Sequence, residues 1–449
     1  MNRRTVLYVC HNHPAVRAGG AEQYALELHR GMRSSMKYQP LFLSRYTDPA
    51  PVAVSGVNGL STGNGLSSVN GESDELFFHV PGTGFDDFLG TYPDKEIYTR
   101  RFDAVLRAYR PDVVHFQHTL FLGYDMVRQV RNTLPDTAVV YTLQEFLPIC
   151  HRQGQMVRAT DNRPCTHDSP RRCHECFPDI SQEAFFLRKR LIQSHLQHVD
   201  LFIAPSHYLR EQYIRWGIPI DKIRFEEYGR SPDEPVEEVA TINAQARFGF
   251  FGQVTQFKGI QVLLEAMQIV KGMNTPVQLT IHGTPMEQVI EPFRSELRRV
   301  FEQCHGYVTH QGSYVPADLP ELMSRVDWVV VPSIWWENSP LVIQEAFHHG
   351  KPVICSDIGG MKEKVMDGVN GLHFRAGDAR SLADVLQRAA TDPGLLRRLR
   401  GGIARIYSMN EHVRELETAY DTLLARRAPA PQGSGTVHSA DVVQTGVTQ

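Results

Sequence analysis

Short apolar runs alternate with longer amphipathic stretches twice along this chain, with a proline- and acid-rich break between the two series. In the first series TVLYVC, QPLFLS, ELFFHV, DVVHF, AVVYTL and DLFIAPS read as strands. AEQYALELHRGM, the segment from Lys95 to Tyr109, and EAFFLRKRLIQSHLQ carry helical spacing. Uniformly apolar strands, each followed by a helix, predict a mainly parallel sheet covered on both faces. The break after Tyr228, GRSPDEPVEEVATINAQA, has no periodicity and reads as a linker. RFGFFG, VQLTIHG, YVTHQG, DWVVVPS and PVICSD then restart the rhythm, with KGIQVLLEAMQIV and SPLVIQEAFHHG between them. The chain therefore divides into a first domain over 1–228, a linker over 229–246, a second doubly wound domain over 247–410 and a terminal helix over 411–427. The tail over 428–449 is rich in Pro, Gly, Ser and Thr and is expected to be disordered, and Thr47–Ser73 to be a mobile loop.

Of the 449 residues, 42% are hydrophobic and 22% charged, which suits folded domains with sizeable cores. Forty-seven Lys and Arg against fifty Asp and Glu give a formal charge of −3, so no global basic field points to nucleic acid. Any phosphate must be held locally. The apolar stretch Val6–Cys10 is too short for a signal-peptide core, and no window approaches the ~20 apolar residues of a membrane span. The expectation is a cytoplasmic chain whose contact with a membrane, if it has one, is peripheral. Seven cysteines, an odd number without a secretory signal, argue against a disulfide scaffold.

DWVVVPSIWWENSPLVIQEAFHHGKPVICSD is the most informative segment, reading as strand, loop, helix, strand. Pro340 suits the first helical turn, with Asn338 or Ser339 as the N-terminal cap. The unpaired amides at that helix start, with the helix dipole, then offer a phosphate site. Glu337 and Glu345 lie up to ~12 Å apart at helical rise, enough to bracket a diphosphate with a sugar at one carboxylate and a ribose at the other. A carboxylate accepts hydrogen bonds from two adjacent hydroxyls, which suits both ends. The bland alternative is two surface glutamates on an ordinary helix. Upstream, FGFFGQVTQFKG sets Gly252 and Gln253 at a strand end and Lys258, a mobile cation, at the next helix start.

In the first domain, HNHPAVRAGGAEQYALEL places Gly19 and Gly20 before a helix, with Glu22 in its first turn. The pair permits close backbone approach to a ligand, or serves a flexible loop. DVVHFQHTLFLG places His115 and His118 at a strand end, and YTLQEF places Glu145 at the next. Glu145 can orient or deprotonate a hydroxyl, or form a buried ion pair. Cys150, Cys165, Cys173 and Cys176 follow in a loop-rich insertion near 150–176. Four such thiolates can hold a structural zinc, and free loop cysteines are the alternative.

Over about residues 5–425 the chain resembles the retaining nucleotide-sugar glycosyltransferases of the GT-B fold, family 4-like or group 1, whose two glutamates separated by seven residues match Glu337 and Glu345. The resemblance implies an α/β architecture of two Rossmann-like domains facing across a cleft. It implies transfer of a sugar from a nucleoside-diphosphate donor, by default UDP, to a hydroxyl acceptor with retention at the anomeric carbon. Polysaccharide, envelope or glycoconjugate synthesis is the implied setting. By transfer Glu337 contacts sugar hydroxyls, the amides of Asn338, Ser339, Leu341 and Val342 the sugar and phosphates, Glu345 the ribose and Lys258 the diphosphate, while Gly19 and Gly20 lie near diphosphate and acceptor. His115 or His118, with His118 favoured, faces the acceptor and transferred sugar, and Glu145 stands where relatives often have an acid. Gln253 departs from the family's Gly-Arg pair and removes one charge, which Arg230 is a candidate to restore. No Asp-x-Asp pair stands where a metal-dependent donor site needs one, so no catalytic metal is expected. A nucleotide-sugar epimerase and a non-catalytic nucleotide-sugar or glycan-binding partner are the competing readings.

Overall fold

The computed structural model describes residues 3–17, 19–47, 66–69, 72–231 and 245–427. The expected tail, most of the linker and most of the 47–73 loop lie outside them. In the first domain β1 (Arg4–Cys10), β2 (Tyr38–Tyr46), β3 (Leu66–Val69), β4 (Glu72–His79), β5 (Val113–Phe116), β6 (Ala138–Thr142), β7 (Leu201–Ala204) and β8 (Ile223–Phe225) form one sheet. Its order is β3-β4-β2-β1-β5-β6-β7-β8, and β3–β4 is its antiparallel pair. In the second, β9 (Ala246–Gly252), β10 (Val277–Gly283), β11 (Val308–Gly312), β12 (Trp328–Val331), β13 (Val353–Ser356) and β14 (Gly371–Phe374) form a parallel sheet ordered β11-β10-β9-β12-β13-β14. The helices that position the site are α1 (Gly20–Met32), α2 (Pro170–Cys176), α3 (Gln182–Leu196), α4 (His207–Trp216), α5 (Ile260–Gly272), α6 (Leu341–His348), α7 (Gly359–Lys364) and α8 (Met409–Arg427).

Every strand expected from an apolar run is present. The structure adds β3, β8 and β14, three or four residues each, too short to carry a pattern. β3 and the start of β4 fall inside the expected loop at 47–73. The single helix expected over Lys95–Tyr109 is a π-helical turn at Ile97–Phe102 running into an α-helix at Asp103–Tyr109. Each sheet reverses its winding beside the first strand of its domain, and ligands of open α/β sheets bind in that crevice.

Alternation along β1 sends Leu7 and Val9 to one face of the first sheet and Val6 and Tyr8 to the other. The second face is completed by α8: Met409, Leu416, Tyr420 and Leu423 pack with Tyr24, Leu28 and Val140 in one core. The chain thus crosses to the second domain near Arg230 and returns near Ser408, where the two passes form a bridge. No helix among the described residues is long and apolar enough to cross a membrane. Because α8 belongs to the first core, Leu416→Ala should cost about 2–5 kcal/mol in urea unfolding.

Candidate active site

The loop between β12 and α6 carries Glu337, which is 5% exposed. Its Oε1 accepts hydrogen bonds from Lys258 Nζ at 2.6 Å, Ser333 Oγ at 2.7 Å and Trp335 Nε1 at 2.9 Å. Lys258 ends a short 3-10 turn after β9, and its ammonium lies 5.5 Å from the Trp335 ring centre. A Cβ at the next residue, Gly259, would sit 1.8 Å from the Pro332 carbonyl oxygen, so the two loops touch backbone to backbone.

Helix α6 starts at Leu341 with Pro340 as its cap residue and no side-chain cap, correcting the expectation for Asn338 and Ser339. Asn338 Nδ2 donates to the Leu143 and Gln144 carbonyls at 3.3 and 3.2 Å and to the Tyr228 hydroxyl at 3.2 Å. Its Oδ1 accepts from Ser206 at 3.1 Å, and Ser339 donates to Glu227 at 2.7 Å. These side chains join the domains, leaving the first-turn amides of Leu341 and Val342 without cap acceptors from either. The Gly19–Gly20 turn faces this end of α6: a Cβ at Gly20 would lie 3.7 Å from Leu341 Cδ1. Glu345 Oε1 accepts from Arg230 Nη2 at 2.9 Å. Burial raises the Glu345 pKa and Arg230 opposes it.

Gly252 ends β9 at φ +151°, and Gln253 beside it is exposed. Arg230, the candidate to replace its charge, lies instead on Glu345. The sequence reading missed Gly359–Gly360, although it used the same glycine-pair logic at Gly19–Gly20. A Cβ at Gly360 would lie 1.6 Å from the Asn338 oxygen, and the Gly360 amide donates to the Glu337 carbonyl at 2.7 Å. Lys364, which ends α7, is 3.0 Å from Glu227 Oε2, and burial lowers its pKa against the opposing effect of Glu227. Neighbouring Glu363 accepts from the amides of His207 and Tyr208 at the start of α4.

Across the cleft, Glu22 Oε1 lies 3.0 Å from His11 Nε2. Burial pushes the Glu22 carboxyl up, but the His11 hydrogen bond leads the contacts that outweigh it and hold it low. A Cβ at Gly19 would meet that carboxylate at 2.5 Å. The His11 and His118 rings lie 4.2 Å apart, and His118 Nε2 is 3.7 Å from Glu145 Oε1. Burial, reinforced by His11, holds His118 well below the usual histidine range. Burial pushes Glu145 up to about 8, against Arg188, so at neutral pH this carboxyl is protonated and can donate to an acceptor oxygen. His115 does not join this group. It is fully buried, with Tyr420 Oη 2.7 Å from Nδ1 and Thr142 Oγ1 2.8 Å from Nε2. The structure therefore places His115 in the α8 packing, correcting its acceptor-side assignment. His11, next to the noted glycine loop, was the histidine missed.

Cys150, Cys165, Cys173 and Cys176 are reduced and line one cavity of about 40 Å³. Among the described residues no group of three or more His, Cys, Asp or Glu is placed to hold a metal ion. The cysteine loop reaches both halves of the site. The Cys165 carbonyl accepts from Trp336 Nε1 at 2.8 Å, and a Cβ at Gly154 (φ +71°) would lie 2.5 Å from Glu145 Oε2. A groove of about 790 Å³ beside α3, lined by Phe186, Lys189, Trp216 and Lys222, contains none of the cleft carboxylates.

Two Rossmann-like sheets with paired acids and a lysine in the cleft between them define the GT-B glycosyltransferase fold. The chain belongs to the group 1, family 4 glycosyltransferases: the family described as "Glycosyl transferases group 1" matches residues 245–392 and "Glycosyltransferase Family 4" matches 18–225. Lipopolysaccharide 1,2-N-acetylglucosaminetransferase of Salmonella typhimurium is 26% identical over 202 residues, 42% of this chain and 53% of that protein. D-inositol 3-phosphate glycosyltransferase of Jonesia denitrificans is 34% identical over 163 residues, 35% of this chain and 37% of the relative. These alignments span about half or less of either relative. The fold matches sucrose-phosphate synthase from Thermosynechococcus elongatus at TM-score 0.69 and 18% identity, covering 94% of this chain and 100% of that one. It matches Anabaena HepE in complex with UDP and glucose at TM-score 0.63 and 15% identity, with the same coverage.

The folded chain holds a proton on Glu145 that the unfolded chain loses near its ordinary pKa, so this group's contribution to stability falls as pH rises from about 4.5 toward 8. Glu145→Gln should remove that fall. In thermal melts across pH 5 to about 8.5 the variant should gain on the native chain as pH rises, and a constant difference would refute the assignment.

Proposed function

We propose that this chain transfers a sugar from a nucleoside-diphosphate sugar, UDP by default, to an acceptor hydroxyl with retention at the anomeric carbon. Synthesis of a glycan, envelope polysaccharide or glycoconjugate is the proposed setting. The observation that carries this reading is Glu337 held by Lys258, Ser333 and Trp335 just before α6, with Glu345 farther along the same helix. The curated relatives named above are glycosyltransferases, and the HepE structure holds UDP and glucose, which supports such a donor.

In this mechanism the bond from the anomeric carbon to the diphosphate oxygen breaks while the acceptor oxygen attacks on the same face. The acceptor proton passes to the departing phosphate. Lys258 and the first-turn amides of α6 stabilise the charge that develops there, and Glu337 fixes the sugar hydroxyls. The two sides of the cleft hold the acceptor against that same face of the donor sugar. His118, neutral and beside Glu145, faces the transferred sugar from the first domain. No divalent ion is assigned to the leaving group, so turnover should survive chelation.

Thermal-shift and mass-spectrometric hydrolysis screening against UDP-, GDP- and dTDP-sugars should show selective stabilisation and slow release of one sugar. Isomerised donor without acceptor would identify an epimerase, and binding without turnover a non-catalytic partner. Glu337→Ala should lower transfer about a hundredfold or more, read as product formation by mass spectrometry. Near-native turnover in that variant would reject the role of Glu337.

A further inference from the structure

Arg230 stands where the chain leaves the first domain. Its amide donates to the Tyr407 carbonyl at 3.1 Å, and its carbonyl accepts from the Met409 amide at 2.8 Å, so its backbone is fixed to the returning pass. Its side chain reaches between the domains and is 9% exposed as a residue. Nη2 donates to Glu345 Oε1 at 2.9 Å, while Nη1 lies 3.4 Å from Glu27 Oε2 on α1 without making a hydrogen bond. The firm contact is to Glu345. Glu27 on α1, Lys364 at the end of α7 and Tyr314 in the loop after β11 also interact electrostatically with that carboxylate. Glu227 in turn neutralises Lys364.

We propose that Arg230 is the positioning residue for Glu345, holding this carboxylate charged and oriented so that it accepts hydrogen bonds from the ribose of a ribonucleoside diphosphate. This deepens the donor reading and rests on it. A buried carboxylate facing another acid takes up a proton unless a cation is held against it, and a protonated carboxyl loses half its capacity to accept from a pair of hydroxyls. Arg is suited to this because its guanidinium stays charged and one nitrogen of its fork is held on Glu345. The neutral Gln253 leaves Lys258 as the phosphate cation, so Arg230 serves the ribose end and not the diphosphate.

The test measures UDP and 2′,3′-dideoxy-UDP affinity by calorimetry for the native chain, Arg230→Met and Arg230→Lys. The native chain should prefer UDP about tenfold or more, the worth of hydrogen bonds to a charged acceptor. In Arg230→Met that preference should collapse toward one. Its UDP affinity should then rise with pH relative to that of the native chain, as Glu345 ionises. Arg230→Lys should keep part of the preference, and it serves as the test if Arg230→Met does not fold. Unchanged discrimination in the folded variants would make Arg230 a strap between the two chain passes and overturn the proposal. Failure of the native chain to bind any nucleoside diphosphate would overturn the donor reading and this assignment with it.

Discussion

The amide of Asn338 sets the register of the whole cleft. It lies in the seam between the domains and donates to two consecutive first-domain carbonyls, Leu143 and Gln144, at the end of β6, while accepting from Ser206 at the end of β7. A buried amide costs free energy unless its hydrogen bonds are made, so these partners permit one relative placement of the loop and the first sheet. Glu337 is its neighbour in sequence and inherits that placement. Gly360 closes the other side, because its amide reaches the Glu337 carbonyl and any side chain there would strike Asn338.

The return of the chain reinforces this placement. Helix α8 gives the first domain Tyr420, which meets both Tyr8 and His115, and His412, which accepts or donates at the Tyr24 hydroxyl at 2.6 Å. The first domain is therefore sealed by residues that follow the entire second domain in sequence. The two crossings lie side by side at Arg230 and Ser408, so motion between the domains must bend both passes together. The buried charges nearest these crossings, Arg230, Glu27 and Glu345, are also those at the proposed ribose end of the cleft.

What could be read from sequence was local. The strands carry uninterrupted apolar runs, and Glu337 and Glu345 sit on one short segment whose strand-loop-helix pattern announces a binding end. Contacts between distant segments were not legible. His115 resembles a strand-end catalytic residue until Tyr420, 305 positions away, occupies its ring nitrogen. Asn338 and Ser339 have the chemistry of helix caps, but partners on the first domain, more than a hundred residues away, claim their side chains. Local propensity names what a residue can do, and tertiary competition decides which of those uses is taken. β14 and β8 were missed for a related reason, since short edge strands draw their definition from a neighbour.

The cysteine insertion links the two sides of the proposed reaction. One end lies over Glu145, where Gly154 admits the carboxyl at a distance that no side chain would allow. The other end holds Trp336 through the Cys165 carbonyl, and Trp336 stacks on Tyr208 with ring centres 4.7 Å apart. Trp336 immediately precedes Glu337. A displacement of this loop would therefore move Glu145 and the backbone entering Glu337 together. Four thiols around a small cavity are poor material for a large apolar core, yet the loop they line spans the cleft. Its shape therefore bears on Glu145 and on the backbone before Glu337 alike.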